Sequence, residues 1–258
     1  MEKLLGLLLF LLAGFLLAGC GGKDVDPYAA YRHSTSAELF TNGEKALAKG
    51  NYSTAVKNFE ALDAIYPFGP YSRQAELDVI YAYYQSGDDA SAIVAADRYA
   101  RLYPQGPNVD YAYYMRGVVG FVEGMSWLQK LAGVDPAPRD VSKLRESYAS
   151  FARLTNQFPS SPYAPDGLRR MVYIRNMMAR REVLIADFYF ERHAYVASAN
   201  RAVYVVQHYE GSPYVIDALV LMVKSYRALN LTEMADNAYQ TLAENYPNSP
   251  EFRELRKT

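Results

Sequence analysis

One thiol, three imidazoles, a run of tyrosines and several clusters of charge are the residues of this chain whose types could do chemistry. The thiol is Cys20, the one cysteine in 258 residues. It has no disulfide partner within the chain and follows an apolar run from Leu4 to Leu17, so its chemistry is that of a nucleophilic sulfur. His33, His193 and His208 are far apart, and no carboxylate cluster has metal-ligand spacing. No phosphate-cradling glycine loop, zinc-peptidase helix motif or Gly-x-Ser-x-Gly elbow occurs. We therefore expect no catalytic residue, no metal and no cofactor. Asp88 and Asp89 fit the start of a helix, where its dipole favours negative charge. Arg169, Arg170, Arg175, Arg180 and Arg181, followed by Glu182, Asp187 and Glu191, read as a solvated helix face with i,i+4 pairs, a site for an acidic partner being the alternative. The run Ile80-Tyr81-Ala82-Tyr83-Tyr84 is the sharpest binding candidate. Tyrosine offers a large rigid apolar area with a polar tip, which suits peptide recognition. On a helix Tyr81 and Tyr84 share a face while Tyr83 points elsewhere. The competing reading is that these rings seal the interface between the first two structural units.

The apolar run is of signal-peptide length, shorter than the ~20 residues that span a bilayer as a helix. The four residues Leu17-Ala18-Gly19-Cys20 resemble the lipobox of bacterial lipoprotein precursors at every position. That resemblance implies cleavage before Cys20 and acylation of its thiol. Several acyl chains, at ~0.8 kcal/mol per buried CH₂, make such a tether stable. Gly21 after the cysteine, in place of Asp, implies by the same resemblance an outer-membrane destination facing the periplasm. The basic region before the apolar run is weak, because Glu2 offsets Lys3. A buried thiol in a core helix is the alternative for Cys20. An exported chain without disulfides must be held together by ordinary burial.

Half of the residues are apolar, so a folded domain is expected. Removing residues 1–19 takes away one charge of each sign and leaves the formal net charge at −1, which argues against nucleic acid as a partner. Tyr is over-represented, with 24 copies against one Trp. From Gly21 to Ser36 the residues are small and polar without periodicity. We read residues 1–19 as a cleaved signal peptide, 20–35 as a lipidated flexible tether and 36–258 as the folded domain.

One punctuation mark recurs through that domain: an aromatic residue, usually followed by Pro, then two residues and a second Pro. Its copies are Tyr66-Pro67-Phe68-Gly69-Pro70, Tyr103-Pro104-Gln105-Gly106-Pro107, Phe158-Pro159-Ser160-Ser161-Pro162, Tyr209-Glu210-Gly211-Ser212-Pro213 and Tyr246-Pro247-Asn248-Ser249-Pro250. The first Pro stops one helix and the second sits where the next can begin. Each unit then reads helix, turn, helix, stop, with boundaries near 36–70, 71–107, 108–162, 163–213 and 214–250. Gly50, Gly87, Ser142, His193 and Asn230 stand at the expected turn between paired helices. Ala55, Ala92, Ser147, Ser198 and Ala235 follow, small enough for helix backbones to approach. Four residues later, on the same face, come Phe59, Ala96, Phe151, Ala202 and Tyr239. In the first helices Ala75, Ala112, Gly167 and Ala218 are small again. This pattern resembles the tetratricopeptide repeat, and we expect an all-α, right-handed superhelical solenoid of about five such hairpins with a concave groove. The third unit has an excess around Met125 to Arg139, read as an irregular loop carrying Trp127. The fourth has no helix breaker between Gly167 and His193, so one long helix spanning two layers is predicted.

Several runs carry a more specific likeness: Tyr66-Pro67-Phe68-Gly69-Pro70-Tyr71-Ser72 through Leu77-Asp78 to Tyr84, Asp110-Tyr111, Tyr114-Met115-Arg116-Gly117, Gly133-Val134-Asp135, Arg139-Asp140, Glu191-Arg192 and Asn200-Arg201. In this order, over nearly the whole chain after Cys20, they resemble the BamD family of lipoproteins of the β-barrel assembly machinery. The resemblance implies a non-enzymatic periplasmic scaffold. Its partners would be the barrel-forming outer-membrane subunit, bound through that subunit's periplasmic domains, other assembly lipoproteins, and unfolded outer-membrane protein clients. It also implies that the C-terminal units dock the barrel subunit, with Arg201 the matching residue. A guanidinium there could bind a partner carboxylate through two hydrogen bonds. Tyr81, Tyr83 and Tyr84 are the candidate client contacts. The rival binding reading is a periplasmic repeat scaffold that coordinates cell-wall synthesis with the outer membrane. An enzymatic rival, a solenoid muramidase, would need a catalytic domain for which five units leave no room.

Overall fold

The computed structural model describes residues 26–123 and 141–256. Cys20 with its leader, Gly133 to Asp135, Arg139 and the expected loop around Trp127 lie outside the described residues. Within them the chain is all-α, with eleven helices and no strand: α1 Ser36–Ala48, α2 Tyr52–Ile65, α3 Ser72–Ser86, α4 Asp89–Leu102, α5 Val109–Glu123, α6 Ser142–Gln157, α7 Ala164–Glu191, α8 Tyr195–His208, α9 Val215–Ala228, α10 Thr232–Asn245 and α11 Pro250–Leu255. None is long and apolar enough to cross a membrane. The chain divides into two compact units, Met1–Ala75 and Glu76–Thr258.

In the first unit α1 and α2 pair as a hairpin. Thr35 and Glu38 close the start of α1 reciprocally, each side chain accepting the other's backbone N–H. Those hydrogen bonds hold the Glu38 carboxyl below its ordinary range. Gly43 of α1 lies under Phe59 of α2 so closely that an added Cβ would stand 2.4 Å from the ring. The stretch read as a spacer carries local structure from Asp26 onward. Asp26 accepts from the Tyr28 N–H and pairs with Arg32 at 2.7 Å, a 3₁₀ turn covers Ala29–Tyr31, and the Tyr66 hydroxyl donates to the Ser34 carbonyl at 2.9 Å.

In the second unit each helix from α4 to α9 packs on its successor and α11 packs back on α9, and Leu77 and Ile80 of α3 share a core with Ala96 and Tyr99 of α4. Gly117 of α5 lies under Phe151 of α6 as Gly43 lies under Phe59, with a Cβ-to-ring distance of 2.5 Å. Where Ala96 stands in place of the ring, Ile80 of α3 is buried in the same core. The small residues Ala75, Ala112, Gly167 and Ala218 are all buried. The long helix is present. α7 runs 28 residues, about 42 Å at 1.5 Å per residue, its Ile174 in the core with Phe151 and Leu154 and its Ala179 and Ala186 in the core with Ala202 and Leu219.

The punctuation has one backbone form in all five copies. Tyr66, Tyr103, Phe158, Tyr209 and Tyr246 cap their helices with φ between −126° and −133°. Their carbonyls then accept from the N–H groups of Gly69, Gly106, Ser161, Ser212 and Ser249. The second Pro differs from expectation in four copies, where it precedes its helix by two residues; only Pro250 is itself the first helical residue. The hairpin turns also share a form. Gly50, Gly87, His193 and Asn230 have φ of +72°, +81°, +59° and +60°, and the residue after each donates back to the carbonyl five positions earlier, as in a Schellman motif. Ser142 departs from the set. It is the first residue of α6, 19 positions after Glu123, the last residue of α5.

The left-handed turns carry a stability prediction. No atom crowds Gly50 or Gly87, so a Cβ there costs conformational energy alone. Gly87→Ala should destabilise by about 1 kcal/mol, and Asn230→Gly should stabilise by roughly 0.5 kcal/mol, both read from urea unfolding midpoints.

Candidate binding surfaces

The tyrosine run on α3 is split by its helix. Tyr81 is 38% exposed, Ala82 is buried, and Tyr83 and Tyr84 are half-buried. Tyr84 packs against two cores, that of α4 with α5 and that of α5 with α6. Within the run, then, Tyr84 packs into cores made by the second and later repeat units, none of whose residues comes from the first repeat unit, while Tyr81 stands at the surface.

Around Tyr81 the fold gathers aromatic residues that the α3 run did not announce. Burial, reinforced by the neighbouring Tyr163, Asp78, Tyr81 and Tyr114, pushes the Tyr111 hydroxyl far above its ordinary range. Tyr163, in the loop before α7, lies 5.5 Å from the Tyr111 ring and stacks on Tyr114 at 4.8 Å. The Tyr114 hydroxyl donates to Asp166 at 3.1 Å. Asp166 in turn accepts from Arg169 at 2.9 Å and Arg170 at 2.6 Å. Burial works to raise the Asp166 carboxyl, but the hydrogen bonds from Arg170 and Arg169 outweigh it and hold the group below its usual range. The Arg170 guanidinium also lies 5.0 Å above the Phe121 ring. A band of tyrosine and charge thus crosses α3, α5 and the start of α7. Its only sequence signal is the excess of Tyr and the quoted pairs Asp110-Tyr111 and Tyr114-Met115.

Arg201 is placed by an ion pair inside the chain. Its Nη1 donates to Glu182 Oε2 at 3.0 Å, and Arg181 donates to Glu182 Oε1 at 3.1 Å. The Glu182 side chain is only 4% exposed, whereas that of Arg201 is 47% exposed. Glu182 therefore belongs to a buried node between α7 and α8 and not to a solvated face. One turn and two turns further along α8 stand Tyr204 and His208, exposed and stacked at 4.0 Å. Arg201, Tyr204 and His208 form one outward stripe. The other histidine of this region, His193, occupies a left-handed turn beside the Tyr195 hydroxyl at 2.8 Å. Among the described residues no three of His, Cys, Asp and Glu are grouped to hold a metal ion.

Near the end of the chain an open cleft of about 630 Å³ is lined by Tyr214, Asp217, Tyr246, Pro247, Pro250 and Glu251. Burial raises the Asp217 carboxyl, with further push from Glu251 and Asp187.

Residues 32–242 match the model of the YfiO family, described as an outer membrane lipoprotein. Curated proteins called outer membrane protein assembly factor BamD match nearly end to end. That of Neisseria meningitidis serogroup A is 37% identical over 95% of this chain and 92% of its own length, and that of Pasteurella multocida 36% over the whole of this chain and 96% of its own. The chain belongs to this family. Haemophilus influenzae has a relative of the same description, 34% identical over 98% of both chains. Among solved structures the type IV pilus biogenesis factor PilW gives a TM-score of 0.37 at 15% identity, covering 89% of this chain and 84% of PilW, a likeness too distant to add to the fold.

The residues that carry the family resemblance separate into two sets once placed. Asp110 accepts from Ser161 at 2.7 Å, Arg116 joins Asp97 to Ser150, Gly117 admits the Phe151 ring, and Arg192 covers Phe188 at the end of α7. These pin helices. Tyr81 and Arg201 instead face outward.

The Asp166 cluster has a pH signature. A carboxyl whose folded pKa is depressed contributes stability above its unfolded value, near 3.9, and that contribution is lost as pH falls through the folded value. Asp166→Asn should therefore lower the Tm at pH 7, and the gap from the native chain should close on acidification below about pH 4. A gap independent of pH would exclude the charge as its source.

Proposed function

We propose that the protein is anchored in the outer membrane through an acylated Cys20, faces the periplasm, and serves outer-membrane protein assembly as a non-enzymatic scaffold. The observation that carries this reading is 36–37% identity, over 95% of the chain or more, with proteins described as outer membrane protein assembly factors. The lipobox at Leu17 to Cys20 supports the anchor. Copurification from detergent-solubilised outer membrane tests the whole: a barrel protein with periplasmic domains and further lipoproteins should accompany the chain.

For the barrel-forming subunit, the stripe of Arg201, Tyr204 and His208 on α8 is the docking candidate. Arg and Tyr dominate the binding energy of many interfaces, and Arg201 keeps donors to spare after bonding Glu182. Reversing the charge at 201 would set a second carboxylate against Glu182, so a neutral change is the cleaner probe. Arg201→Gln should weaken copurification about tenfold or more, as loss of a charge-assisted hydrogen bond does. Glu182→Gln, which leaves the guanidinium in place, should largely retain it. Equal losses that follow a falling Tm would reduce Arg201 to a structural pin.

For unfolded clients, Tyr81 and the rings of Tyr111, Tyr114 and Tyr163 offer rigid amphipathic area on one band. Tyr83 and Tyr84 border it from half-buried positions. A photo-crosslinker replacing Tyr81 should capture nascent barrel proteins. The same probe at Val94, an exposed apolar position on α4, should not; comparable capture at both positions would remove the band as a receptor.

A further inference from the structure

The first stop loop differs from the other four at one position. The third residue of the motif is Gln105, Ser160, Gly211 and Asn248 in the later copies, small or polar in each, but Phe68 in the first. Backbone geometry does not explain the difference. The caps Tyr66, Tyr103, Phe158, Tyr209 and Tyr246 share one conformation, and the same i to i+3 hydrogen bond closes every loop. Nor does packing, because Phe68 is 99% exposed, the most exposed large apolar residue among those described. Its neighbours Pro67 and Pro70 are exposed as well. A fully hydrated ring on a rigid turn forfeits the whole free energy of its burial.

The loop is also fixed beside the segment that leads to Cys20. The Tyr66 hydroxyl donates to the Ser34 carbonyl, and the Gly69 N–H is held by both the Tyr66 carbonyl and the Ser72 hydroxyl. Asp26, Tyr28 and Arg32 then bond to one another. From Asp26 to Cys20 there are six residue steps, at most about 21 Å when fully extended. A bilayer holding acyl chains on Cys20 is therefore the apolar phase within short reach of this part of the unit.

We propose that Phe68 is a second membrane contact, its ring entering the headgroup and upper acyl region of the bilayer that holds the Cys20 anchor. The proposal rests on the lipid-anchored reading given above. Phe is among the apolar side chains that interfacial segments bury at the headgroup and acyl boundary, and a loop closed by hydrogen bonds presents the ring with little further ordering of its backbone. Joining a tether to a fixed point contact restricts the orientation of the first unit relative to the membrane, as a second binding point does for any tethered module.

The test uses the full-length lipoprotein in vesicles of phosphatidylethanolamine with a minority of phosphatidylglycerol. Trp127→Phe removes the one native indole, and Phe68→Trp or Gln105→Trp then places a single reporter in the first or second loop. On reconstitution the Phe68→Trp emission should move to the blue. Iodide quenching should fall severalfold below that of Gln105→Trp, and acyl-brominated lipids should quench Phe68→Trp alone. Unchanged thermal unfolding verifies the fold. Equal iodide access for the two reporters overturns the proposal. So does a Phe68→Trp reporter shielded in native outer membrane but open in vesicles, because protein would then be its cover. Vesicle flotation and intact mass read the anchor separately. A chain that lacks acyl mass and fails to float overturns the anchor and this contact together, whereas a floating, acylated chain with an iodide-accessible reporter overturns this contact alone.

Discussion

Two helix backbones can come close only where one of them carries almost no side chain, and the hairpins of this protein are arranged around that requirement. The ring of Phe59 occupies the space above Gly43, and that of Phe151 the space above Gly117. Around Ala96, which is smaller, the shared core holds Ile80 and Tyr99. In both pairs of ring and glycine the ring takes the volume that the missing side chain frees, as a close-packed interior requires. Adding even a methyl group beneath Phe151 would force the ring into its neighbours.

Close pairing of this kind consumes the inner faces and frees the outer ones. On α5 they hold Tyr111 and Tyr114, whose rings pack against Tyr163, the Tyr114 hydroxyl bonding Asp166 while burial takes that of Tyr111 away from water. On α8 they hold a guanidinium braced from below by a carboxylate that is itself out of water. Bracing matters because an arginine side chain that is already oriented loses less freedom on meeting a partner.

Much of this was legible before any coordinates, and the reason differs by residue. Pro67, Pro104, Gly50 and Asn230 act on their own backbone, so the stops and turns that they impose are local and show in the sequence. The absence of any breaker between Gly167 and His193 likewise announced α7. Ser142 is small and turn-tolerant in type, yet it opens α6, because a serine serves a helix start as readily as a turn. At Tyr84 periodicity gave the shared face but not which neighbour would cover it. The bond from Tyr114 to Asp166 joins residues 52 apart, and that from Arg201 to Glu182 joins residues 19 apart across a turn. Such contacts depend on the register between helices, which no residue encodes alone.

Because α7 passes without interruption from the core around Phe151 to the core around Leu219, the two layers lack the fracture plane that usually separates successive repeats. In an ordinary array each module can melt by itself, at the cost of one interface. Here, melting either layer would require breaking a helix that the other still holds. The stretch from α5 to α9 should thus open as one cooperative block, leaving α10 and α11 as the natural site of fraying at the carboxyl end.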